Sequence, residues 1–569
     1  MGHFNLLEEQ WIVVMTDDKG SAKEVSLIEL FQNAHAYKRL AGETPAQDFA
    51  LLRFLLAILH TVFSRFDDLG EAYEWIALDE KFVPKNETVD EDDESEYNEA
   101  LFDTWKALWN AETFPEIIGK YLEKWSNRFN LYDENYPFYQ VTESDLARKN
   151  ISKTGSISPK LINRLISESN NKIELFSPSS EKFKNSLTHP SLARWLIALQ
   201  GYTGTADKVK FPEMKVSASR GWLLGLGSVY LSGSTLKETL LLNMIVLDGV
   251  SKQSPIWEKE FDEKVNDLLY KQPNNLSELY TNWSRLLLLK ERTDSSEDVQ
   301  IQAIQLPGID SREFFLEQMT LWQCPKTGNN KGRFIPKSHP IDQSFWRSFG
   351  HFSPEGDISK EGHRRPGIID WQNKLANENR LKNSIVTIVS VGLSYNRDAS
   401  QMVNDEVFDE INIHNEVLAD VEEKNGWVIN ISKEISKTKY VIDSILKGFA
   451  SEIKQIRNLS NDGFVNTIIQ DAYFAIDLPF RKWLSEIKFE DDKNKTIQAW
   501  RQTLHTIIME QAQQLLKTAG KRDFIGVTVK ERYTNIEIAH NTFAGRLHHA
   551  LLKQKGENDE SNTIQTNSI

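Results

Sequence analysis

The pattern of apolar residues changes near residue 415, and this change constrains the fold of the 569-residue chain more than any other feature. Beyond it, apolar residues recur at spacings of three, four and seven, which is the period of one helix face. Four helices of similar length with short connections predict an antiparallel four-helix bundle. They are predicted around residues 431–456, from Asp462 to about Phe489, from Ile497 to Leu515 and from Ile536 to Leu551. The first stripe comprises Ile431, Ile435, Ile442, Ile445, Phe449, Ile453 and Ile456.

The region before residue 400 instead mixes short extended segments, helices and Pro or Gly turns. Extended residues on both sides of Lys19-Gly20 predict a β-hairpin, and Ser26 caps a short helix through Tyr37. Pro45 opens an apolar helix that runs to about Phe63. Because the chain is too long for one ordinary core, we predict an α+β fold. Its parts are a mixed N-terminal domain with short sheets and helices over 1–400, the bundle over 401–556 and a disordered tail over 557–569.

Composition limits the compartment and the kind of nucleic-acid contact. The single cysteine, Cys324, cannot close an intramolecular disulfide, which suits a reducing compartment. No apolar run approaches the roughly 20 residues that span a bilayer, so we expect a cytoplasmic protein without membrane contact. The net charge of -15 argues against a protein that coats DNA unaided, so any contact must be local. The acidic run over residues 90–96 is predicted to be a solvated loop.

Common cofactor and catalytic motifs are broken or missing in the sequence. Gly225-Leu226-Gly227 begins like a dinucleotide fingerprint, but the third glycine falls at Gly233, which argues against a dinucleotide site. The stretch from Gly221 to Tyr230 instead predicts a strand or a strand pair. The 12 histidines form no metal-binding motif, and Cys324 has no second cysteine for a zinc site. We therefore predict no cofactor and no catalytic residue. An enzyme whose metal- or nucleotide-dependent site is assembled from distant residues is the alternative.

Several segments occur in an order and spacing that resemble one known family. They are 4–7 (FNLL) with 11–12 (WI), 25–27 (VSL) with 29–31 (ELF), 51–60 (LLRFLLAILH), 137–140 (PFYQ), 221–227 (GWLLGLG), 235–243 (TLKETLLLN), 255–258 (PIWE) and 283–285 (WSR). They resemble the CasA family, the large subunit of the type I-E CRISPR surveillance complex Cascade, and the match to that family spans most of the chain.

The resemblance implies a non-catalytic subunit of an RNA-guided DNA surveillance complex. Such a subunit recognises the PAM, the short motif beside the target in double-stranded DNA, and helps to open the duplex for R-loop formation. Guide pairing then reads the remaining sequence. The implied partners are the other Cascade subunits, CRISPR RNA, target DNA and a helicase-nuclease that the subunit recruits. A pure protein scaffold is a third possibility.

The resemblance also implies positions for the contacts. A glycine loop matches Gly201, Tyr202, Thr203 and Gly204, for which an ordinary helix-ending turn is the alternative. A strand-separating wedge matches residues 392–399, where Asn396 or Arg397 stands in place of the family's usual glutamine; a solvated turn is the alternative. Lys326 is the predicted minor-groove lysine, with Lys331 close behind, although surface lysines are usually only solvated. A loop around Phe176, Ser177 and Pro178 is expected near the 5′ end of the guide RNA.

Overall fold

The fold was analysed in a computed structural model that describes residues 3–86, 88–157, 186–204, 209–214, 219–246, 252–290, 299–354, 362–378, 381, 384–395, 403–422, 424–529 and 531–552. The chain divides into two compact units. Unit 1 comprises Met1–Phe345, Glu361–Lys374 and Val386–Glu410. Unit 2 comprises Trp346–Lys360, Leu375–Ile385 and Ile411–Ile569.

The sheets are short, and their paired strands run antiparallel. The sheet orders are β2-β1-β3, β4-β7-β6 and β11-β10-β5, with the two-stranded pairs β8-β9 and β12-β13. Together with the helices, they confirm the predicted α+β class. The strands are β1 Ile12–Met15, β2 Ala22–Val25, β3 Arg39–Leu40, β4 Gly155–Ile157, β5 Ser228–Ser232, β6 Arg285–Lys290, β7 Gln300–Gln305, β8 Trp322–Gln323, β9 Ile335–Pro336, β10 Ile385–Tyr395, β11 Val403–His414, β12 Val527–Val529 and β13 Arg532–Thr534.

The α-helices of unit 1 are mostly short. They are α1 Leu27–Asn33, α2 Pro45–Phe63, α3 Glu94–Asn110, α4 Ile117–Lys124, α5 Glu143–Arg148, α6 His189–Tyr202, α7 Leu236–Asn243, α8 Phe261–Tyr270, α9 Leu276–Tyr280 and α10 Gly367–Asn377. The helices that follow are α11 Asn415–Ala419, α12 Trp427–Tyr440, α13 Lys447–Arg457, α14 Gly463–Glu486, α15 Lys493–Lys517, α16 Lys521–Ile525 and α17 Ile536–Leu551.

Helix α2 provides much of the core of unit 1. Thr44 accepts a hydrogen bond from the Gln47 N–H, and Pro45 occupies the first turn, as the sequence predicts. Among the described residues, α2 is the one helix long and apolar enough to cross a membrane, but 94% of its apolar window is buried. Such burial is typical of a core helix.

The predicted N-terminal hairpin is confirmed in β1 and β2, where Ile12 pairs with Val25. Gly20 lies in its turn with a φ of 89°, a conformation that glycine adopts without strain. The Ser26 hydroxyl accepts from the Glu29 N–H and caps α1, which ends at Asn33 rather than Tyr37.

In unit 2, every residue of the predicted stripe from Ile431 to Ile456 is buried. That stripe lies on one continuous helical stretch, because a π-helical segment, Val441–Leu446, joins α12 to α13. The Phe449 and Phe543 rings stack 4.9 Å apart and join α13 to α17. The Phe480 and Trp500 rings lie 5.0 Å apart and join α14 to α15. Apolar faces of the long helices therefore pack on one another.

Three local expectations differ from the structure. Residues Trp222–Gly225 form a 3₁₀ helix rather than a strand, and the strand begins only at Ser228. The acidic run is a loop only in part, because α3 begins at Glu94, and carboxylates are favourable in the first turn of a helix. The observed division also differs from one boundary at 400. Trp346–Lys360 and Leu375–Ile385 belong to unit 2, whereas β11 starts within unit 1. The predicted tail, 557–569, lies outside the described residues.

Candidate nucleic-acid interface

The predicted glycine loop, residues 201–204, forms the C-terminal end of α6 and is called the glycine turn below. Tyr202 is the last helical residue, and the Thr203 N–H donates to the Leu199 carbonyl at 3.0 Å. A Cβ on Gly201 would lie 2.6 Å from Cδ1 of Leu223. Close packing therefore requires glycine at 201, and the local structure is that of a helix-ending turn.

Two buried side chains fix the glycine turn to β6. The Gln200 side-chain oxygen accepts from the N–H groups of Ser284 and Arg285, at 2.8 and 3.0 Å. The guanidinium of Arg285 is fully buried and donates to the carbonyls of Gly204 and Ser219, at 2.7 and 2.9 Å. The Arg285 bonds supply donors to two carbonyls outside the helix, those of Gly204 and Ser219, and give the buried guanidinium its acceptors. Sequence reasoning missed Arg285 as an anchor, since nothing in its local pattern predicts burial.

Residues 221–228, called the linking segment, connect the glycine turn to the next elements. The Gly221 N–H donates to the Thr203 carbonyl at 2.9 Å. A Cβ on Gly221 would lie 2.3 Å from the Gly201 carbonyl oxygen, so the two backbones touch. At the other end, a Cβ on Gly227 would lie 2.0 Å from the Lys337 carbonyl oxygen. Glycine is therefore needed at both ends of the linking segment.

Lys326 lies in the loop between β8 and β9, and residues 324–337 are called the basic hairpin. Its stretch from Pro325 to Lys337 contains three lysines and one arginine without any Asp or Glu. Lys326, Lys331 and Arg333 are exposed. The Gly332 N–H donates to the Pro325 carbonyl at 3.0 Å and closes the base of the loop. The basic hairpin thus concentrates positive charge on an otherwise acidic chain.

Strand β10 reaches the same linking segment. Its Val391 pairs with Ser228 of β5, and a Cβ on Gly392 would lie 3.3 Å from the His339 ring. The His339 Nε2–H donates to the Ser228 carbonyl at 2.9 Å. Burial lowers the pKa of His339 to about 4, although that hydrogen bond opposes the shift. The imidazole is therefore neutral near pH 7 and adds no positive charge here.

A buried ion pair contacts the linking segment through Trp222. Arg53 of α2 donates two hydrogen bonds to the Glu317 carboxylate, at 2.8 and 2.9 Å. The Trp222 indole N–H donates to the same carboxylate at 2.6 Å. Burial alone would lower the pKa of Arg53, but the charge of Glu317 and these bonds raise it above its usual value. Removing one partner of such a pair costs about 3–5 kcal/mol, since it strands a buried charge.

The linking segment therefore contacts three elements: the glycine turn, the basic hairpin and the end of β10. Asn396 and Arg397 come directly after β10 but lie outside the described residues, as do Phe176, Ser177 and Pro178. Within the described part of the chain, no group of three or more His, Cys, Asp or Glu is arranged to hold a metal ion.

Comparison with known proteins identifies the family. The sequence model of the family described as CRISPR-associated protein Cse1 matches residues 5–511. A protein of Thermus thermophilus named CRISPR-associated protein CasA/Cse1 is 26% identical over 257 residues, which are 45% of this chain. That alignment spans 42% of the relative's own length.

Solved structures share the fold along almost the whole chain. The Cse1 structure of Thermobifida fusca has a TM-score of 0.76 and 24% identity, with 96% of this chain and 98% of that chain covered. A CasA structure of Thermus thermophilus has a TM-score of 0.66 and 19% identity, with 96% and 99% covered. A chain from a structure titled "CRISPR RNA-guided surveillance complex" has a TM-score of 0.66 and 14% identity, with 96% and 100% covered. The chain therefore belongs to the Cse1 (CasA) family, the large subunits of the type I-E Cascade complex.

Proposed function

We propose that this protein is a non-catalytic Cascade subunit that reads the PAM of double-stranded DNA and helps to start the R-loop. In this proposal the glycine turn brings backbone close to the DNA, and Lys326 of the basic hairpin enters the minor groove. Asn396 or Arg397 then separates the strands. The helices of unit 2 form the antiparallel four-helix bundle and, with the rest of the surface, present the protein to other subunits and to the helicase-nuclease.

The observation that carries the proposal is the convergence on residues 221–228. Three elements that are far apart in the chain meet there, through Gly221 with Thr203, Gly227 with Lys337 and Ser228 with Val391. An exposed basic loop beside a compact backbone turn offers phosphate contacts and close approach to a groove in one place. A short motif needs no larger surface, because RNA–DNA pairing supplies the remaining specificity.

The net charge of -15 is consistent with this division of labour. Duplex binding by this subunit alone would be weak, since phosphate neutralisation depends on clustered cations. In the assembled complex, the guide RNA and neighbouring subunits hold the DNA, and the basic hairpin needs to supply only local contacts.

The test uses the complete reconstituted complex and duplexes with or without the flanking motif. Lys326→Ala should weaken binding to the motif-containing duplex about tenfold, as expected for loss of one groove contact worth ~1–3 kcal/mol. Lys19→Ala is the matched control, because Lys19 is an exposed lysine of unit 1 in the turn between β1 and β2. Replacing Asn396 and Arg397 with Ala should slow duplex opening more than it weakens initial binding.

The rivals predict different results. A pure scaffold predicts that the changes at Lys326, Asn396 and Arg397 leave DNA affinity and opening at wild-type levels. An enzyme with a site assembled from distant residues predicts turnover of nucleic acid or nucleotide by this chain with a divalent metal. Either result would replace the proposal of a PAM reader.

A further inference from the structure

Unit 1 contains a cavity of about 360 Å³ that uses none of the residues described above as DNA contacts. It lies between the aromatic stretch 136–140, the 3₁₀ helix Ile256–Glu258 and α8. This volume falls in the range of small-molecule sites. The aromatic members of its wall are Tyr136, Phe138, Tyr139, Trp257, Phe261 and Trp283.

Three cations line this cavity, and Lys264 of α8 is the one whose side chain has no carboxylate partner among the described residues. Its side chain lines the cavity and is only 9% exposed, and its Nζ lies 4.5 Å from the centre of the Trp283 ring. Among the described residues, the Lys264 side chain makes neither an ion pair nor a hydrogen bond. The other two cations that line the cavity are already paired, Arg128 with Glu260 and Arg148 with Asp145.

The cavity wall also carries buried donors that lack acceptors within the described part of the chain. They are the Tyr139 hydroxyl, the Trp283 indole N–H and the Nε–H of Arg128. Each such orphan costs about 1–3 kcal/mol. Tyr139 also has a φ of 57°, a left-handed conformation that is strained for a residue with a Cβ. Strain and unmet donors around one cavity are typical of a binding site rather than of a core.

Three carboxylates also line the cavity, but Glu260 and Asp145 are paired with Arg128 and Arg148, and Glu134 is exposed, so Lys264 is the cation left for an anionic ligand. Burial, and then the charge of Arg128, lower the pKa of Lys264 to about 7, although Asp145 and Glu260 oppose this shift. An anion beside the ammonium would reverse this effect and stabilise the charged form. A lone phosphate would fill only a small part of the volume, whereas the aromatic wall can pack against a flat apolar group.

We propose that the cavity binds a nucleoside monophosphate, with the phosphate at Lys264 and the base against the aromatic wall. The phosphate oxygens supply acceptors for the Lys264 ammonium, and the base uses the apolar surface. The nucleotide comes either as a free molecule or as the phosphorylated end of an RNA strand. This site is separate from the proposed PAM contacts, and its test does not depend on them.

The first experiment measures binding by the full-length chain with AMP and UMP, using calorimetry and thermal shift. Inorganic phosphate and adenosine serve as half-ligands and should each bind much more weakly than AMP. Lys264→Met should weaken AMP binding at least about tenfold, equivalent to ~1.4 kcal/mol. Lys271→Met is the matched control, because Lys271 follows the same helix but is 65% exposed and paired with Asp267. Absence of nucleotide binding, or equal binding by Lys264→Met, would overturn the proposal.

A second measurement uses the wild-type chain and therefore does not depend on folding of the variant. Acetylation of Lys264 near neutral pH is followed by mass spectrometry of a peptide that contains α8. AMP should slow the modification of Lys264 several-fold without changing that of Lys271; equal rates at Lys264 contradict the site.

Short RNAs with a 5′-phosphate or a 5′-hydroxyl then identify the source of the nucleotide. Competition with AMP by the phosphorylated RNA alone assigns the site to an RNA end. Competition by neither RNA assigns it to a free nucleotide. Competition by both RNAs equally would show that the phosphate is not recognised and would refute the assignment to Lys264.

Discussion

Two buried ionisable side chains of unit 1, Arg65 and His60, differ in whether an opposite charge lies within reach. Arg65 is fully buried and donates to both carboxylate oxygens of Glu258, at 2.8 and 2.9 Å, and the Tyr121 hydroxyl donates to the same group. Burial opposes the charge of Arg65, but Glu258 outweighs it and raises the pKa of Arg65 above its usual value. His60 of α2 has no such partner, because its Nε2 is buried without a hydrogen-bond partner among the described residues.

His60 should therefore make unit 1 sensitive to acid. Burial lowers its pKa from 6.5 to about 3 in the folded chain. Below about pH 6.5 the unfolded state binds a proton that the folded state does not, so stability falls as pH falls toward about 3. Between about pH 7.5 and pH 5, His60 alone should lower the free energy of unfolding by ~2 kcal/mol. Urea unfolding at the two pH values, followed by tryptophan fluorescence, measures it.

The matched variant keeps a ring but cannot titrate. His60→Phe should retain the edge contact with the Tyr280 ring, whose centre lies 5.8 Å away. It should remove the share of the pH dependence that belongs to His60 and leave that of His339, whose pKa burial also lowers. His549→Phe replaces an exposed histidine of α17 and should keep the wild-type loss. An unchanged loss in His60→Phe would assign the acid sensitivity to other groups.

At the scale of elements, the sequence predicts those helices and turns whose signals are local. Pro45 marks the start of α2, Gly20 marks the first hairpin, and the Ile431–Ile456 stripe marks the first long helix of unit 2. Each signal lies within one or two turns of the backbone that it specifies. Local patterns were therefore sufficient for these elements.

Contacts between distant segments were not predictable in the same way. The pairing of Ile157 with Ile301 and the burial of Arg285 beside Gly204 depend on residues far apart in the chain. The candidate site was predicted only in part: the family resemblance suggested contact roles for the glycine turn and Lys326, and it included residues 221–227 without indicating that they join the two. The cavity at Lys264 combines three remote stretches, and no single one has a binding motif.

The crossing of α6 with the linking segment should tolerate only glycine at position 221. Its φ of -60° and ψ of 148° suit any residue, so the contact of a Cβ with the Gly201 carbonyl at 2.3 Å alone decides the outcome. Gly221→Ala should destabilise unit 1 by about 1–3 kcal/mol, because backbone must move. Hydrogen exchange in the peptide 189–202 should rise accordingly.

The control is a glycine with free space around it. A Cβ on Gly448, within α13, would have no neighbour within 4 Å. Gly448→Ala should therefore stabilise unit 2 by about 0.5–1 kcal/mol, since alanine reduces the conformational freedom of the unfolded chain. Equal stability of Gly221→Ala and the wild type would show that α6 and the linking segment can move apart without loss of folding free energy.

At the scale of the whole molecule, the chain contributes to the two units discontinuously. Residues 346–360 and 375–385 interrupt the sequence of unit 1 and belong to unit 2 with the C-terminal helices. Trp346 is fully buried, its ring centre lies 4.3 Å from that of Phe480, and its indole N–H donates to Asp477 at 2.8 Å. The Lys439 ammonium donates to the Arg347 carbonyl in the same region. The core of unit 2 is therefore incomplete without residues that precede the C-terminal helices in sequence.

Trp346→Ala should consequently loosen unit 2 by about 3–5 kcal/mol, the usual cost of a large cavity in a core. Hydrogen exchange in the full chain should accelerate in peptides of α14, which carries Phe480 and Asp477, and stay near wild type in peptides of α2. Trp346→Phe keeps a ring on Phe480 but loses the bond to Asp477 and part of the buried ring, so a smaller loss of about 1–3 kcal/mol is expected. If Trp346→Ala exchanged like the wild type in α14, residues 346–360 would be a surface attachment, and the C-terminal helices would form a self-sufficient core.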